Sequence, residues 1–409
     1  MQGTILNIPD SGETLSSGLE KSLNSIHSKA PPSSPTFPDM VFMTQALRIA
    51  VNGRFLCRPV TGVERFATEI LLALDRLISQ GKVQLPPIEV LLPPGVEPKV
   101  RFDNMPFRTV GRRQGHLWEQ LDLPHACSGA LLLNLCNTGP ILLRNQATVV
   151  HDAAVFAVPQ AYSLGFKVAY RLLHTCLALR AKHFWTVSEF SRKELVRFLP
   201  LGGKSVVVLP EGGEHVQRVQ ADESILDRCA LRTRPYVLSV SSAQPAKNFG
   251  LLVRALEGRG DPGFDVVVAG GTNPAVFSGQ HTALPSYVKH VGYVSDQELA
   301  ALYKHASCFV FPSLYEGFGI PPLEAMAMGC PVVASTAASI PEVCADAANY
   351  FDPHDPEALY VALMAVMTDP HLRDRLRANA IRQGQYWTWT RAAASLASAL
   401  NEAISGPHI

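Results

Sequence analysis

The chain has 409 residues, 47% of them hydrophobic and 17% charged, so it can bury a substantial core and, at about 100 to 200 residues per folding unit, is long enough for two domains. Lys and Arg number 36 against 35 Asp and Glu, a net charge of +1. That balance excludes a protein whose overall charge recruits nucleic acid and directs the search for partners to local patches.

Residues 1–46 are rich in Ser, Pro and Gly, with the tract Pro31-Pro32-Ser33-Ser34-Pro35. They predict a disordered extension, or a chain whose translation begins at Met43. From Leu47 onward, short apolar runs alternate with helical patterns, the signature of βαβ units and a parallel sheet. Leu47 to Val51 is the predicted opening strand. Val63, Phe66, Ile70, Leu71, Leu74, Leu77 and Ile78 then recur at helical spacing behind a Thr61-x-x-Glu64 capping box. The unit repeats three times: Ala147 to Val150 leads into His151-Asp152, Phe184 to Val187 into a helix capped by Ser191-x-x-Glu194, and Val206 to Leu209 into Glu211-Gly212-Gly213. Together these predict a first Rossmann-like domain over 47–215.

Between Tyr162 and Val187 stand Lys167, Arg171, Arg180 and Lys182 with no acidic residue, while Phe166, Tyr170, Leu173 and Leu177 keep helical spacing. A basic amphipathic helix of this kind can touch anionic lipid head groups, although a core-facing helix with a solvated basic face is the more frequent arrangement. No uncharged apolar stretch reaches the ~18 to 20 residues of a membrane-spanning helix.

The polar stretch Glu214 to Pro235 reads as the interdomain connection. Tyr236 to Ser241, Phe264 to Ala269, His290 to Tyr293, Cys308 to Phe311 and Cys330 to Ala334 then predict the strands of a second Rossmann-like domain over 216–386. The segment 387–409 adds a small-residue helix over Ala392 to Ala403. Eight cysteines are scattered without a C-x-x-C pair and read as buried reduced thiols of a cytosolic protein.

The chemistry concentrates in Pro312-Ser313-Leu314-Tyr315-Glu316-Gly317-Phe318-Gly319-Ile320-Pro321-Pro322-Leu323-Glu324. A strand ends at Phe311, glycines allow a ligand close to the backbone, and the prolines suit a helix's first turn. A helix N-terminus at this loop offers unpaired N–H groups and positive potential to a diphosphate. Glu324, in the first helical turn, is placed to accept hydrogen bonds from a ribose, and Glu316 to meet a sugar.

This string resembles the E-x7-E signature of the retaining GT-B glycosyltransferases of family 4, and the resemblance extends over roughly residues 47–405. It implies an α/β chain of GT-B fold, two Rossmann-like domains with parallel sheets facing across a cleft, whose final segment packs back on the first. It also implies that Glu324 holds the ribose, that Glu316 contacts the donor sugar, and that Gly317, Phe318 and Gly319 line the donor. Ser241 to Asn248 is similar to the family's phosphate loop, so Lys247 is expected on the diphosphate, with Ala246 and Ser242 where the family often carries basic residues. Gly53-Arg54 and Gly62, in Thr61-Gly62-Val63-Glu64-Arg65, resemble its N-terminal glycine loop, and His151 its strand-end histidine beside the transferred sugar.

Segments Val51-Asn52-Gly53-Arg54, His116-Leu117-Trp118-Glu119-Gln120 and Val150-His151-Asp152 are similar to bacterial mannosyltransferases of polysaccharide assembly. They imply GDP-mannose as donor, with a UDP-hexose as rival, and a lipid-linked oligosaccharide as acceptor. They also imply a cytoplasmic enzyme with peripheral contact at the inner membrane face and no nucleic-acid partner. No Asp-x-Asp pair occurs, and the resemblance implies that no metal is required. Two alternatives stand beside this: a nucleotide-sugar epimerase or hydrolase of the same fold, and a weakly catalytic donor-binding subunit.

Overall fold

Runs such as Ile49-Ala50-Val51 and Cys308-Phe309-Val310-Phe311 bury every side chain, as strands covered by helices on both faces must. A computed structural model describes residues 47–240, 244–271 and 285–405. The extension expected over 1–46 lies outside these residues, as does Ser242.

Among the described residues the strands form two sheets, both parallel throughout. The first comprises β1 (Ile49–Asn52), β2 (Ile88–Leu92), β3 (Phe107–Thr109), β4 (Leu131–Asn134), β5 (Gln146–Val149), β6 (His183–Thr186) and β7 (Val206–Val208), in the order β3-β2-β1-β4-β5-β6-β7. The second comprises β8 (Tyr236–Val240), β9 (Asp265–Ala269), β10 (Val288–Gly292), β11 (Cys308–Phe311), β12 (Val332–Ser335) and β13 (Ala348–Phe351), in the order β10-β9-β8-β11-β12-β13. Strand order reverses between β1 and β4 and again between β8 and β11. Such reversals open a crevice at the carboxyl ends of the strands, where α/β sheets bind ligands.

The helices that position the site are α1 (Gly62–Ser79), α2 (Leu164–Arg180), α3 (Glu189–Phe198), α4 (Phe249–Leu256), α5 (Asp296–His305), α6 (Ile320–Ala327), α7 (Pro356–Thr368), α8 (Pro370–Tyr386) and α9 (Trp389–Ser405). Helix α1 starts at the expected box, with Glu64 reaching back to the Thr61 N–H at 3.2 Å. Helix α9 packs on α1, and Trp389, Ala392, Ala393, Leu396 and Leu400 join Phe66 and Ile70 in one buried cluster.

Three sequence expectations change. Helix α3 is capped by Ser188, not Ser191: the Ser188 hydroxyl accepts from the Ser191 N–H at 3.0 Å, because Ser188 is the last extended residue before the helix. Cys57 is exposed and Cys136, Cys176 and Cys229 are half-buried, so only Cys127, Cys308, Cys330 and Cys344 are buried thiols. In α2, Leu177 faces inward while Phe166 is exposed, and a second apolar stripe looks outward. Strands β2, β3, β4 and β13 fall outside the runs singled out above. Three-residue β3 is partly exposed, and prolines crowd both ends of β2.

Leu396 is fully buried between α9 and α1. Leu396→Ala should cost about 2 to 5 kcal/mol of stability in urea unfolding, the range for a buried leucine that leaves a cavity; a loss under about 0.5 kcal/mol would mean that α9 docks loosely.

Candidate active site

Lys247 sits where β8 gives way to α4. The backbone turns through Asn248, a left-handed residue (φ 52°) whose side-chain amide donates to Pro312 O at 3.1 Å and Pro353 O at 2.9 Å. Asn tolerates this conformation better than most residues, and the two bonds tie the turn to the ends of β11 and β13. The Lys247 ammonium donates to both carboxylate oxygens of Glu316, at 2.8 and 3.1 Å. Lys247 and Glu316, 69 residues apart, are thus brought together at the β8/β11 reversal.

The Glu316 loop is held from both halves of the molecule. Ser339 donates to Glu316 O at 3.1 Å and Phe318 O at 2.7 Å, while Ser188 and Ser191 of the first half donate to Gly317 O at 2.6 and 2.9 Å. A Cβ on Gly317 would stand 2.7 Å from His151 O, so no side chain fits there. Gly319 has φ 121° and forms the N-cap of α6, followed by two prolines in the first turn. Phe318 turns its ring inward, edge-on to Trp387 at 5.4 Å, which leaves a ligand only its backbone. Gly62 begins α1 opposite Ile320, the first residue of α6, with 4.0 Å between the Ile320 methyl and an ideal Gly62 Cβ. The starts of the two helices therefore adjoin each other.

Glu324, expected in the first helical turn, is instead the fifth residue of α6, because the helix begins at Ile320 directly after Gly319; it is 7% exposed and both of its oxygens are engaged: His215 Nε2 lies 2.9 Å from Oε1, and the Tyr303 hydroxyl donates to Oε2 at 2.9 Å. The Trp389 indole N–H donates to His215 Nδ1 at 3.1 Å, which assigns the imidazole proton to Nε2, where it faces the carboxylate. A carboxylate has about four lone-pair sites, so Glu324 retains capacity for further donors.

His151, expected beside the sugar, is 5% exposed, and both of its ring nitrogens have partners within the protein. Its Nδ1 lies 3.2 Å from Glu211 Oε1, its Nε2 2.9 Å from Leu135 O, and its ring stands edge-on to Phe66 at 4.7 Å. Burial opposes the imidazolium, but the Glu211 carboxylate and the Leu135 carbonyl outweigh it and hold the His151 pKa above its ordinary value. With an acceptor at each nitrogen, the cation suits the geometry. What this strand end offers the cleft is its backbone and the next residue, Asp152. Burial pushes the Asp152 carboxyl up, against a hydrogen bond from the Ala154 N–H, and it lies within electrostatic reach of Glu316 and Lys247. Tyr162 is pushed up to about 12 by burial, with the Asp152 and Glu316 charges adding. Tyr315 is likewise raised by burial and by Asp152.

Sequence reasoning missed Asp152, Tyr162 and the two serines on Gly317 as site residues, because each meets a group of the second half, Glu316 or Gly317, more than a hundred residues on. Arg54, by contrast, is drawn into the first half, 3.2 Å from Glu119 and 2.8 Å from Thr138. Among the described residues, no group of three His, Cys, Asp or Glu is arranged to hold a metal ion.

His151 and Glu211 are both held above their ordinary values, 6.5 and 4.5, so the folded chain binds these protons more tightly than the unfolded chain. The stability this confers is full below the ordinary values and is lost as pH rises through the raised ones. Relative to His151→Asn/Glu211→Gln, which carries neutral amides, the native protein should lose stability between about pH 5 and about pH 8. Urea unfolding of both proteins at the two pH values measures it, and parallel profiles would refute the coupling.

The family described as Glycosyl transferases group 1 matches residues 228–383, the stretch that holds Lys247, Glu316 and Glu324. The chain is 30% identical over 268 residues to O-antigen chain mannosyltransferase B of Escherichia coli, covering 61% of this chain and 68% of that one. It is 30% identical over 225 residues to O-antigen chain mannosyltransferase RfbU of Salmonella typhimurium, covering 54% and 61%. Among solved structures, sucrose-phosphate synthase from Thermosynechococcus elongatus superposes with a TM-score of 0.65 at 16% identity, over 88% of this chain and 99% of that one. The chain belongs to the group 1 glycosyltransferases and is a glycosyltransferase of GT-B fold.

Proposed function

We propose that this glycosyltransferase moves a mannosyl unit from GDP-mannose to a hydroxyl of a lipid-linked oligosaccharide in the assembly of a bacterial surface polysaccharide, with retention at the anomeric carbon and without a metal. The observation that carries the reading is the Lys247–Glu316 pair at the strand-order reversal, in the half where α6 begins against the start of α1. The names of the two mannosyltransferase relatives support the sugar and the kind of acceptor.

In this reading the donor diphosphate takes Lys247 over from Glu316, and the helix amides at Gly62 and Gly319 share its charge. Glu316, released from the ammonium, turns its carboxylate toward a sugar that gains positive character as the bond to phosphate breaks. Glu324 receives the ribose hydroxyls on the lone pairs that His215 and Tyr303 leave open. His151, pinned by Glu211 and Leu135, acts by position: it fixes the strand end that carries Asp152 against Gly317.

Negative charge grows on the leaving phosphate in the transition state, so Lys247 should matter more to turnover than to binding. Lys247→Ala should lower kcat by about a hundredfold or more, with a smaller loss of donor affinity, whereas Ala246→Arg should be tolerated. Near-normal turnover in Lys247→Ala would assign the diphosphate to another cation. Incubation with labelled nucleotide-sugars, with and without membrane lipid extract, tests the reaction itself: transfer dependent on the lipid fraction is expected. Free sugar or an epimer formed without acceptor would make the protein a hydrolase or epimerase.

A further inference from the structure

Asp152 is a charge in the cleft to which the reaction outlined above gives no task. The chain around it is held firmly. Just beyond β5, Thr186 donates to Val150 O at 2.7 Å and the His151 N–H donates to the Asn137 side chain at 2.7 Å, while the His151 ring is fixed by Glu211 and Leu135 O. The Ala154 N–H then donates to Asp152 Oδ1 at 2.8 Å, a local turn that aspartate forms readily and that sets the direction of its side chain. The residue is half-buried, and Oδ2 has no hydrogen-bond partner among the described residues and keeps contact with solvent.

Asp152 belongs to the first half, yet it stands against the loop of the second: a Cβ on Gly317 would lie 3.2 Å from the Asp152 Cβ. The cations that favour its charge are His151 and Lys247, and both are engaged already, with Glu211 and Glu316. The Glu316 carboxylate acts against it. The phenols of Tyr162 and Tyr315 lie within electrostatic reach of the same charge. Asp152 thus meets the cleft as a group that only accepts hydrogen bonds, with one oxygen open and its cations taken. Such a group binds a hydroxyl, which donates a hydrogen bond and brings no charge, and repels a phosphate or a carboxylate.

Lys247, Glu316 and Glu324 all lie in the second half, so a donor sugar rests on that half and the reactant that arrives against it meets the first. We infer that Asp152 receives a hydroxyl of the acceptor's terminal sugar on Oδ2 and restricts that sugar to neutral ones. The assignment to the acceptor rests on the donor arrangement proposed above. The discrimination of neutral from anionic sugars rests on the carboxylate alone.

Saturation-transfer NMR of the full chain tests the inference with the methyl α-glycosides of mannose, galactose and N-acetylglucosamine and with the 6-phosphates of the same sugars. At least one glycoside should bind the native protein, more tightly than its 6-phosphate. Asp152→Asn keeps an oxygen for the Ala154 N–H and turns a donor amide toward the cleft, and Asp152→Ser keeps the turn with a hydroxyl, so both should melt like the native protein. Each should bind the glycoside about tenfold more weakly or worse, the loss of a hydrogen bond to a charged group, and Asp152→Asn should gain affinity for the 6-phosphate. Affinity for GDP-mannose, by calorimetry, should stay within about twofold. Native protein that binds no glycoside, or binds the 6-phosphates as tightly, would overturn the inference, as would variants that bind the glycoside undiminished. Variants that lose GDP-mannose instead would assign Asp152 to the donor sugar and overturn it too. Glycoside binding needs no turnover, so its failure and a failure of the transfer assay are separate results.

Discussion

A buried carboxylate organises the junction between the two halves. Glu324 lies midway along α6 with one oxygen on His215 and the other on Tyr303, and His215 is in turn fixed by the Trp389 indole. His215 belongs to the connection that leaves the first sheet, Trp389 to the helix that returns to it, and Tyr303 to α5 of the second. An ionised carboxylate is costly to bury unless donors surround it. Meeting that requirement with residues from three segments fixes the segments relative to one another. The carboxylate of Glu214, next to His215, accepts from the Trp389 N–H at 2.7 Å and strengthens the same joint.

The second contact between the halves is made by backbone. Gly317 presents its carbonyl to the hydroxyls of Ser188, the cap of α3, and of Ser191 within it, and its bare Cα to His151 O, while the Glu342 carboxylate accepts from the Glu189 and Phe190 N–H groups at the start of α3. The loop that carries Glu316 is therefore shaped by both sheets. Its cation, Lys247, is neutralised inside the protein by that same Glu316.

The alternation of apolar runs and helical patterns made both sheets legible, since a parallel sheet buried on both faces leaves unbroken runs such as Cys308 to Phe311. The string from Pro312 to Glu324 was equally legible, because its loop, prolines and glutamates are consecutive. Side-chain direction was not. His151 stands where a strand-end histidine was expected, yet its ring is claimed by Glu211 and Leu135, and nothing within ten residues of it announces Glu211. The outward stripe of α2 was hidden for a related reason: apolar residues on both faces of one helix blur its period, and only the packing shows which face is inside.

Gly212 and Gly213 set how the halves are able to move. A Cβ on Gly212 would lie 2.3 Å from Trp389 N, and one on Gly213 would lie 2.6 Å from the Leu323 carbonyl, so this strap is pressed directly against the residue before Glu324. Rotation about a pinned point displaces each atom in proportion to its distance from the pin. A swing of one half about this strap would move Glu324, the residue next to Leu323, less than atoms farther from it. The carboxylate of Glu324 thereby lies beside the fulcrum of any such swing.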